Sequence, residues 1–293
     1  MTRALLYSIL WISAAAQAAA PGHAAPDGGA PAGSVASPPP VRIPTDQECV
    51  ALGSPQTPLF PVGETLDFDL DALGAEAGKM TMRVLPKRGE AIPIEVTANT
   101  NSFFSKVRRV SATATSYLNP RTLRPKRYVE DATENEVSRY ADVSFKPEAR
   151  QVNLDYRIAG RPGKRVFRYA NDALDPAGAI FLVRQLPLKE GTWICFDAYG
   201  IRNMWRVHGK VIGKEHVSLK LGEFDAWHLQ GEAVRIDLPQ SRREIHLWVS
   251  ADERRLPLAA VGVMDLGAVR ATLTRYARPE GTKRGAGKES LKW

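Results

Sequence analysis

The sequence predicts a mainly β protein, folded as a large curled antiparallel sheet or barrel-like domain with one short covering helix. From residue 62 onward, apolar and polar residues alternate with a period of two in more than a dozen segments. This alternation is typical of strands that have one buried and one wet face. One convincing helix signal interrupts the strands, at residues 175–187. So many strands in one sheet favour curling or closure, because an open edge invites aggregation.

The chain begins with segments that we expect to lie outside the β domain. Residues 1–20 have the features of a secretory signal peptide, with Arg3 before the apolar run 4–12 and small residues at the cleavage region. A membrane anchor is the weaker alternative, because this run is well short of the ~20 residues that a span needs. Residues 21–42, rich in Ala, Pro and Gly, predict a disordered tether, and residues 43–60 predict an extended arm.

Residues 61–276 are expected to form a single β domain, and residues 277–293 a flexible basic tail. Before the helix, the predicted strands lie at 64–73, 79–84, 91–98, 111–118, 126–130, 137–145, 151–158 and 164–169, with a helical turn within 101–110. After the helix they lie at 192–198, 203–212, 216–220, 223–237, 243–250, 256–263 and 268–276. The bounding Gly, Pro, Asn and Asp residues are typical of tight turns between strands.

The helix has clear start and stop signals. Asp175 can cap it, and Pro176 then occupies the first helical position, where a missing N–H costs nothing. Pro187 ends it. The residues between are so apolar that the helix must cover the sheet. Arg184, at the helix end, is predicted to form a structural ion pair with Glu64.

The chain has two cysteines, Cys49 and Cys195. An even number in an exported protein predicts one disulfide, which would tie the arm to the strand after the helix. Two unpaired, buried thiols are the alternative. A metal site made from two cysteines alone is not expected.

The formal net charge is +8, and much of the positive charge falls in two segments, 101–129 and 145–169. The residues assigned to this basic surface are Arg108, Arg109, Arg124, Arg127, Arg165 and Arg168. For an exported protein, nucleic acid is not an expected partner. The hypothesis is an anionic envelope partner, such as lipid headgroups or lipopolysaccharide. An ordinary solvated basic surface is the alternative. No later apolar run could span a bilayer, so we expect a soluble protein.

Several phrases resemble an uncharacterised exported bacterial family, known as domain of unknown function 3108. The first is P-V-G-E-T-L-D-F-D-L-D-A-L-G-A-E-A-G-K-M at 61–80, and the second is S-Y-L-N-P-R-T-L-R-P-K-R-Y at 116–128. The others are the helix region 175–191, L-G-E-F-D-A-W-H-L at 221–229, L-W-V-S-A-D-E-R-R-L-P-L at 247–258 and L-G-A-V-R-A-T-L at 266–273. The resemblance implies an envelope location and a β-rich, curled or barrel-like fold. It implies no reaction and no catalytic residue.

No motif of the sequence predicts a catalytic residue, a metal site or a cofactor. Asp67, Asp69 and Asp71 lack the glycine and glutamate that a calcium loop needs at its sixth and twelfth positions. His208, His228 and His246 lie near tryptophans on predicted strands and are interpreted as structural. Finding two histidines beside acidic groups would reopen the interpretation as an enzyme.

The apolar interior leaves two interpretations open, an enclosed ligand cavity and a filled core. Curled sheets with a covering helix often enclose an apolar cavity, although large closed sheets also make filled cores. The residues expected to line a cavity are Phe68, Met80, Met82, Ile180, Phe181, Val183 and Trp205. Three functions are therefore considered: binding of a lipid or other apolar or anionic envelope molecule, a structural or assembly factor with a filled core, and a hydrolase of an envelope polymer. The sequence favours a non-enzymatic role and leaves the oligomeric state open.

Overall fold

The computed structural model describes residues 44–54, 60–200, 202–264 and 267–279. The strands before the helix are β1 (Cys49–Val50), β2 (Thr65–Ala72), β3 (Ala75–Val84), β4 (Ile92–Thr100), β5 (Val110–Leu118), β6 (Pro125–Glu134), β7 (Val137–Lys146), β8 (Gln151–Ile158), β9 (Arg161–Arg168) and β10 (Ala173–Leu174). The helix α1 (Pro176–Val183) follows, and then β11 (Trp193–Gly200), β12 (Asn203–Leu219), β13 (Gly222–Arg235), β14 (Arg242–Ser250), β15 (Pro257–Met264) and β16 (Gly267–Ala277). Short 3₁₀ turns lie at Asp46–Glu48, Phe104–Lys106 and Pro147–Ala149. The predicted signal peptide, tether and most of the tail fall outside the described residues.

All the described strands belong to one sheet. Its order is β1-β11-β12-β13-β14-β15-β16-β2-β3-β4-β5-β6-β7-β8-β9, with β10 also paired to β11. Two antiparallel meanders, β11–β16 and β2–β9, are joined where β16 pairs with β2. The first and last strands of this order are not paired to each other, so the sheet is curled but open. The predicted fold class is confirmed.

The apolar and polar residues that alternate in the sequence lie on opposite faces of the curled sheet. Phe68 is opposite Met80, and Leu66 is opposite Met82, so all four side chains lie on the inner face and are buried. Polar residues between them, such as Asp69, lie on the other face, because successive strand residues point to opposite sides.

Helix α1 lies against the inner face and contacts β4, β5 and β11. It begins as the sequence predicts, because Pro176 is its first residue and the Asp175 carboxylate accepts a hydrogen bond from the Gly178 amide at 2.8 Å. It ends at Val183, one residue before Arg184.

The predicted ion pair at the helix end is present. The Arg184 guanidinium donates to both carboxylate oxygens of Glu64 at 2.7 and 2.9 Å, and both side chains are almost fully buried. Arg184 Nε also donates to the Arg255 carbonyl oxygen at 2.8 Å. Such a pair is stable in a core only because every charged atom is matched.

The disulfide between Cys49 and Cys195 is present, which favours the paired alternative. It attaches the arm to the sheet, where β1 pairs in parallel with β11. The Arg124 side chain holds the arm from the other side, since it donates to the Leu52 carbonyl and to the Gly53 carbonyl oxygen at 3.0 Å.

Several boundaries differ from the prediction: β3 begins at Ala75 and not at residue 79, β6 continues to Glu134 and not only to residue 130, and the largest difference is at β12. The two strands expected at 203–212 and 216–220 form one strand, β12, of 17 residues. Its pairing with β13 shifts between Val211 and Gly213. A β-bulge of this kind interrupts the alternation of apolar and polar residues without ending the strand. In the sequence, this interruption is indistinguishable from a turn between two strands.

Candidate functional site

An apolar cleft lies along helix α1. Its volume is about 180 Å³, and its helix wall is formed by Ala179, Ile180 and Val183. Its sheet wall includes Leu70, Phe196, Val207 and Leu247, which come from strands far apart in sequence. An apolar cavity of about 150 Å³ is large enough to admit benzene. The cleft therefore has room for a small apolar group or for one segment of a longer chain.

A second, smaller space lies on the other side of the helix. Its volume is about 30 Å³, and Pro176 and Ile180 line both spaces. Met80 and Met82 form its apolar wall, and Glu130 lies at its polar end. The two spaces together place apolar surface on both sides of the first half of the helix.

The sequence-predicted ligand residues divide into two groups. Ile180 and Val183 line the cleft, and Met80 and Met82 line the smaller space. Phe68, Phe181 and Trp205 are instead buried in side-chain packing. The Phe181 ring lies edge-on to Phe60, with 4.6 Å between ring centroids, and the Trp205 indole N–H donates to the Gly200 carbonyl oxygen at 3.1 Å. Ligand contact by any of these residues stays a prediction.

The inner face changes from apolar to polar at β6. The Tyr128 hydroxyl donates to the Glu130 carboxylate at 2.9 Å. Glu130 also borders a narrow pocket lined by Arg139, Tyr199 and Arg202. Burial raises the pKa of both Tyr128 and Tyr199 above the ordinary range, so each phenol stays neutral.

Near Glu130, the arginine side chains outnumber the carboxylates that contact them within the described residues. Arg108 and Arg139 both bind Glu134, and all three side chains are buried. Burial, and then the neighbouring Arg165, lower the pKa of Arg202. The Arg165 guanidinium donates to the Arg202 carbonyl oxygen at 3.1 Å.

The predicted basic surface requires a correction at Arg108. It is only 8% exposed and paired with Glu134, so it does not belong to a surface. Glu134, at the end of β6, places its carboxylate against the Arg108 guanidinium. A count of charges along the sequence could not show this pairing. Arg127 is paired with Asp142, and Arg124 with Asp172. Arg109 and Arg168 are exposed, as is Arg165.

The structure also brings two histidines beside acidic groups, in a cluster on β12, β13 and β14. His228 Nδ1 lies 2.6 Å from Glu215, His228 Nε2 lies 2.9 Å from His246 Nδ1, and His246 Nε2 lies 3.1 Å from Glu244. The Trp248 indole N–H donates to Glu215 at 2.9 Å, and its ring stacks on His228 with centroids 4.5 Å apart. The sequence shows these residues, but it does not show the strand register that brings them together.

All four ring nitrogens of His228 and His246 are engaged in these contacts, which leaves neither imidazole free as a general base for a nucleophile. Among the residues that the structure describes, no three His, Cys, Asp or Glu side chains are arranged so that they could hold a metal ion together.

The histidine cluster adjoins the apolar cleft, because His246 is among the residues that line the cleft, together with its neighbours Ile245 and Leu247 on β14.

The fold defines a class of proteins in which one curled antiparallel sheet makes a barrel-like body. A β-barrel-like protein of domain of unknown function DUF1849 from Brucella abortus is similar, with a TM-score of 0.54 and 10% identity over 75% of this chain and 99% of that chain. At this identity the likeness shows the fold alone. The chain belongs to the family described as protein of unknown function (DUF3108), whose sequence model matches residues 67–274. The resemblance seen in the sequence is thereby confirmed.

A second solved structure is similar only at a low TM-score. The hypothetical protein CT021 from Chlamydia trachomatis matches with a TM-score of 0.32 and 11% identity, over 74% of this chain and 88% of that chain. None of the curated proteins matches this chain significantly. In the described part of the chain, no helix has the length and apolar character needed to cross a membrane.

Proposed function

We propose that this protein is an exported, non-catalytic binding protein of the bacterial envelope, which holds an apolar segment of a lipid-like molecule beside helix α1. The observation that supports the proposal most directly is the cleft of about 180 Å³. Its walls are almost entirely apolar, and apolar surface of this kind is favourable for burying hydrocarbon.

The proposed location rests on two observations. The first residues have the features of a secretory signal peptide. The disulfide between Cys49 and Cys195 is of a kind that persists in oxidising compartments and is rare in the cytosol. Both favour the periplasm or the cell exterior.

The size of the cleft restricts the ligand. About 180 Å³ accommodates one chain segment, not a lipid with several acyl chains. The rest of a larger ligand would therefore extend out of the cleft, along the inner face or into solvent. A single-chain amphiphile fits this arrangement best.

The test is binding of a dansyl-labelled fatty acid, measured by fluorescence with the purified full chain. Ala179→Trp fills the cleft from the helix side and should weaken binding at least tenfold. Ala149→Trp, on an exposed turn outside the cleft, is the matched control and should bind like the wild type. Wild-type protein that does not bind the probe, or an Ala179→Trp variant that binds as well as wild type, would refute the proposal. Mass spectrometry of lipid extracted from the protein purified from its own envelope identifies the natural ligand.

A further inference from the structure

We propose that one rim of the curled sheet docks onto the surface of an anionic lipid membrane. The exposed apolar side chains of this rim are Leu73, Phe103, Val107 and Val263, and the region is called the apolar rim below. The docking stands on observations that do not involve the cleft. Only the passage of a ligand between membrane and cleft rests on the proposed function.

The strand order places these residues at one end of the sheet. In an antiparallel meander, alternate turns lie at the same end. The turns that follow β2, β4 and β15 therefore lie at one rim, and the pairing of Val269 with Ala72 joins them across β16 and β2. From β15 to β5 this rim crosses five strand spacings, which is about 24 Å.

The apolar rim exposes large hydrophobic side chains to solvent. Leu73, Phe103 and Val107 are 62, 66 and 63% exposed. Among the residues that the structure describes, Val166 on β9 is the only other large hydrophobic residue exposed to this degree. Single exposed hydrophobic residues are ordinary, but a group of them on neighbouring turns marks an interaction surface.

The backbone of Leu73 shows that local folding preference does not explain the leucine. Leu73 and Gly74 form the turn between β2 and β3, with φ of 54° and 77°. Positive φ at both positions is typical of a type I′ turn, which favours Asn-Gly. A leucine there is strained, and its exposed side chain gains no burial in return. Strained positions of this kind occur at binding sites.

The loop between β4 and β5 holds Phe103 and Val107 in place. Phe104 lies between them in the sequence and is buried against β2, β3 and β16. The Asn101 side chain accepts the Phe104 N–H at 2.7 Å and donates to a carbonyl oxygen of β3. A loop that is already fixed loses little conformational freedom when its exposed side chains enter a membrane.

The charge of the same loop is complementary to an anionic surface. Residues 101–129 contain no Asp or Glu. Lys106 and Arg109 are exposed, and neither forms an ion pair within the described part of the chain. Glu76, an exposed acid on β3, has Lys79 as a partner at 3.7 Å. Basic residues beside apolar ones favour anionic lipid, whereas a second copy of this chain would bring like charges together.

The cleft reaches the surface at this rim. Val263 lines the cleft and is 42% exposed, and Val269 lines it on the other side of the same turn. Helix α1 is held at the opposite rim, where Arg184 is bonded to Glu64 just before β2. An apolar chain that leaves a docked membrane would therefore enter the cleft directly.

The test is flotation of the full chain with vesicles of phosphatidylethanolamine and phosphatidylglycerol at pH 7. The wild type should bind them. The triple variant Leu73→Asn, Phe103→Ser, Val107→Ser should bind at least about tenfold more weakly, because three apolar side chains no longer enter the lipid. Urea unfolding should show the variant to be as stable as the wild type, because none of the three side chains is buried.

The matched control is Val166→Ser, which removes an equally exposed hydrophobic side chain from β9 at the free edge of the sheet. It should bind vesicles like the wild type. Lys106→Gln with Arg109→Gln should weaken binding to the anionic vesicles and leave binding to neutral phosphatidylcholine vesicles unchanged. A wild type that does not bind anionic vesicles would overturn the proposal, as would equal losses in the triple variant and Val166→Ser.

Two further measurements separate the possible failures. If the apolar rim binds a second copy instead, the wild type dimerises in analytical ultracentrifugation, the triple variant stays monomeric and vesicles are not bound, which refutes docking. In solution, the triple variant should bind the dansyl-labelled fatty acid like the wild type, because none of its three residues lines the cleft. A wild type that binds vesicles but not this probe would refute the proposed function and support the docking.

Discussion

Replacing Asp175 by asparagine tests how the helix is anchored. Asp175 is fully buried at the start of α1, where it accepts hydrogen bonds from the Gly178 amide at 2.8 Å and the Ser116 hydroxyl at 2.6 Å. Burial raises the pKa of its carboxyl from 3.8 to about 6, against the lowering effect of these donors. A pKa difference of about two corresponds to about 3 kcal/mol between the protonated and ionised forms.

The sign of the pH dependence follows from the direction of this shift. The folded protein binds the Asp175 proton more tightly than the unfolded chain does. The contribution to stability is therefore complete below about pH 4, and it is lost as the pH rises through about 6. An asparagine at this position would be a comparable helix cap without the charge, since asparagine and aspartate cap equally well. We expect Asp175→Asn to be more stable than wild type near pH 7, by up to about 3 kcal/mol.

Urea unfolding followed by tryptophan fluorescence, from pH 4 to 8, measures this prediction. The informative quantity is the unfolding free energy of the variant minus that of the wild type. All titrating groups other than Asp175 are present in both proteins, so their contributions cancel in this difference. This difference should rise between pH 4 and 7. Asp131→Asn, at an exposed strand position, controls for the substitution and should stay within about 0.5 kcal/mol. A flat difference for Asp175→Asn would refute the buried-carboxyl argument.

Three further predictions concern the framework, each measured by urea unfolding at pH 7. Arg184→Met leaves the buried Glu64 carboxylate unpaired and should cost about 3–5 kcal/mol; adding Glu64→Leu should recover most of it, and no recovery would count against the ion pair as the cause. Replacing both cysteines by serine opens a loop closed over 146 residues, for which chain entropy gives a loss of about 5 kcal/mol; a loss below about 1 kcal/mol would contradict that account. Gly231→Ala should cost about 1–3 kcal/mol, because a Cβ there would lie 2.3 Å from a strand carbonyl oxygen. Gly209→Ala, directly opposite, has its nearest such contact at 3.8 Å and should be tolerated; equal effects of the two would refute the steric argument.

The elements of the fold were predictable where their signals are local. Alternation of apolar and polar residues located the long strands, and Asp175 with Pro176 located the start of α1. The strand β1, of only two residues, has no such signal, since it forms through pairing with β11 and not from its own pattern. The unbroken length of β12 was also not predictable, because a bulge alters the alternation in the same way as a turn.

The candidate site was predictable only in its apolar part. The apolar run marks Ile180 and Val183 as residues of a covering helix, but it marks Phe181 equally, and Phe181 is buried in side-chain packing away from the cleft. The arginine end could not be derived, because Arg139 and Arg202 are brought together by strand order, and their separation in sequence gives no sign of it. The same holds for His228 and His246, whose contact depends on the register between β13 and β14.

The cleft persists because the helix is fixed at both ends by buried polar groups. At its start, Asp175 is bonded to Ser116 of β5, and a Cβ on Gly178 would already lie 3.3 Å from Leu118. Beyond its end, Arg184 is bonded to Glu64. Moving the helix deeper to fill the gap would break these bonds, and a buried group left unpaired costs more free energy than closer apolar packing would contribute. The small side chain of Ala179 leaves the space between the two anchors open.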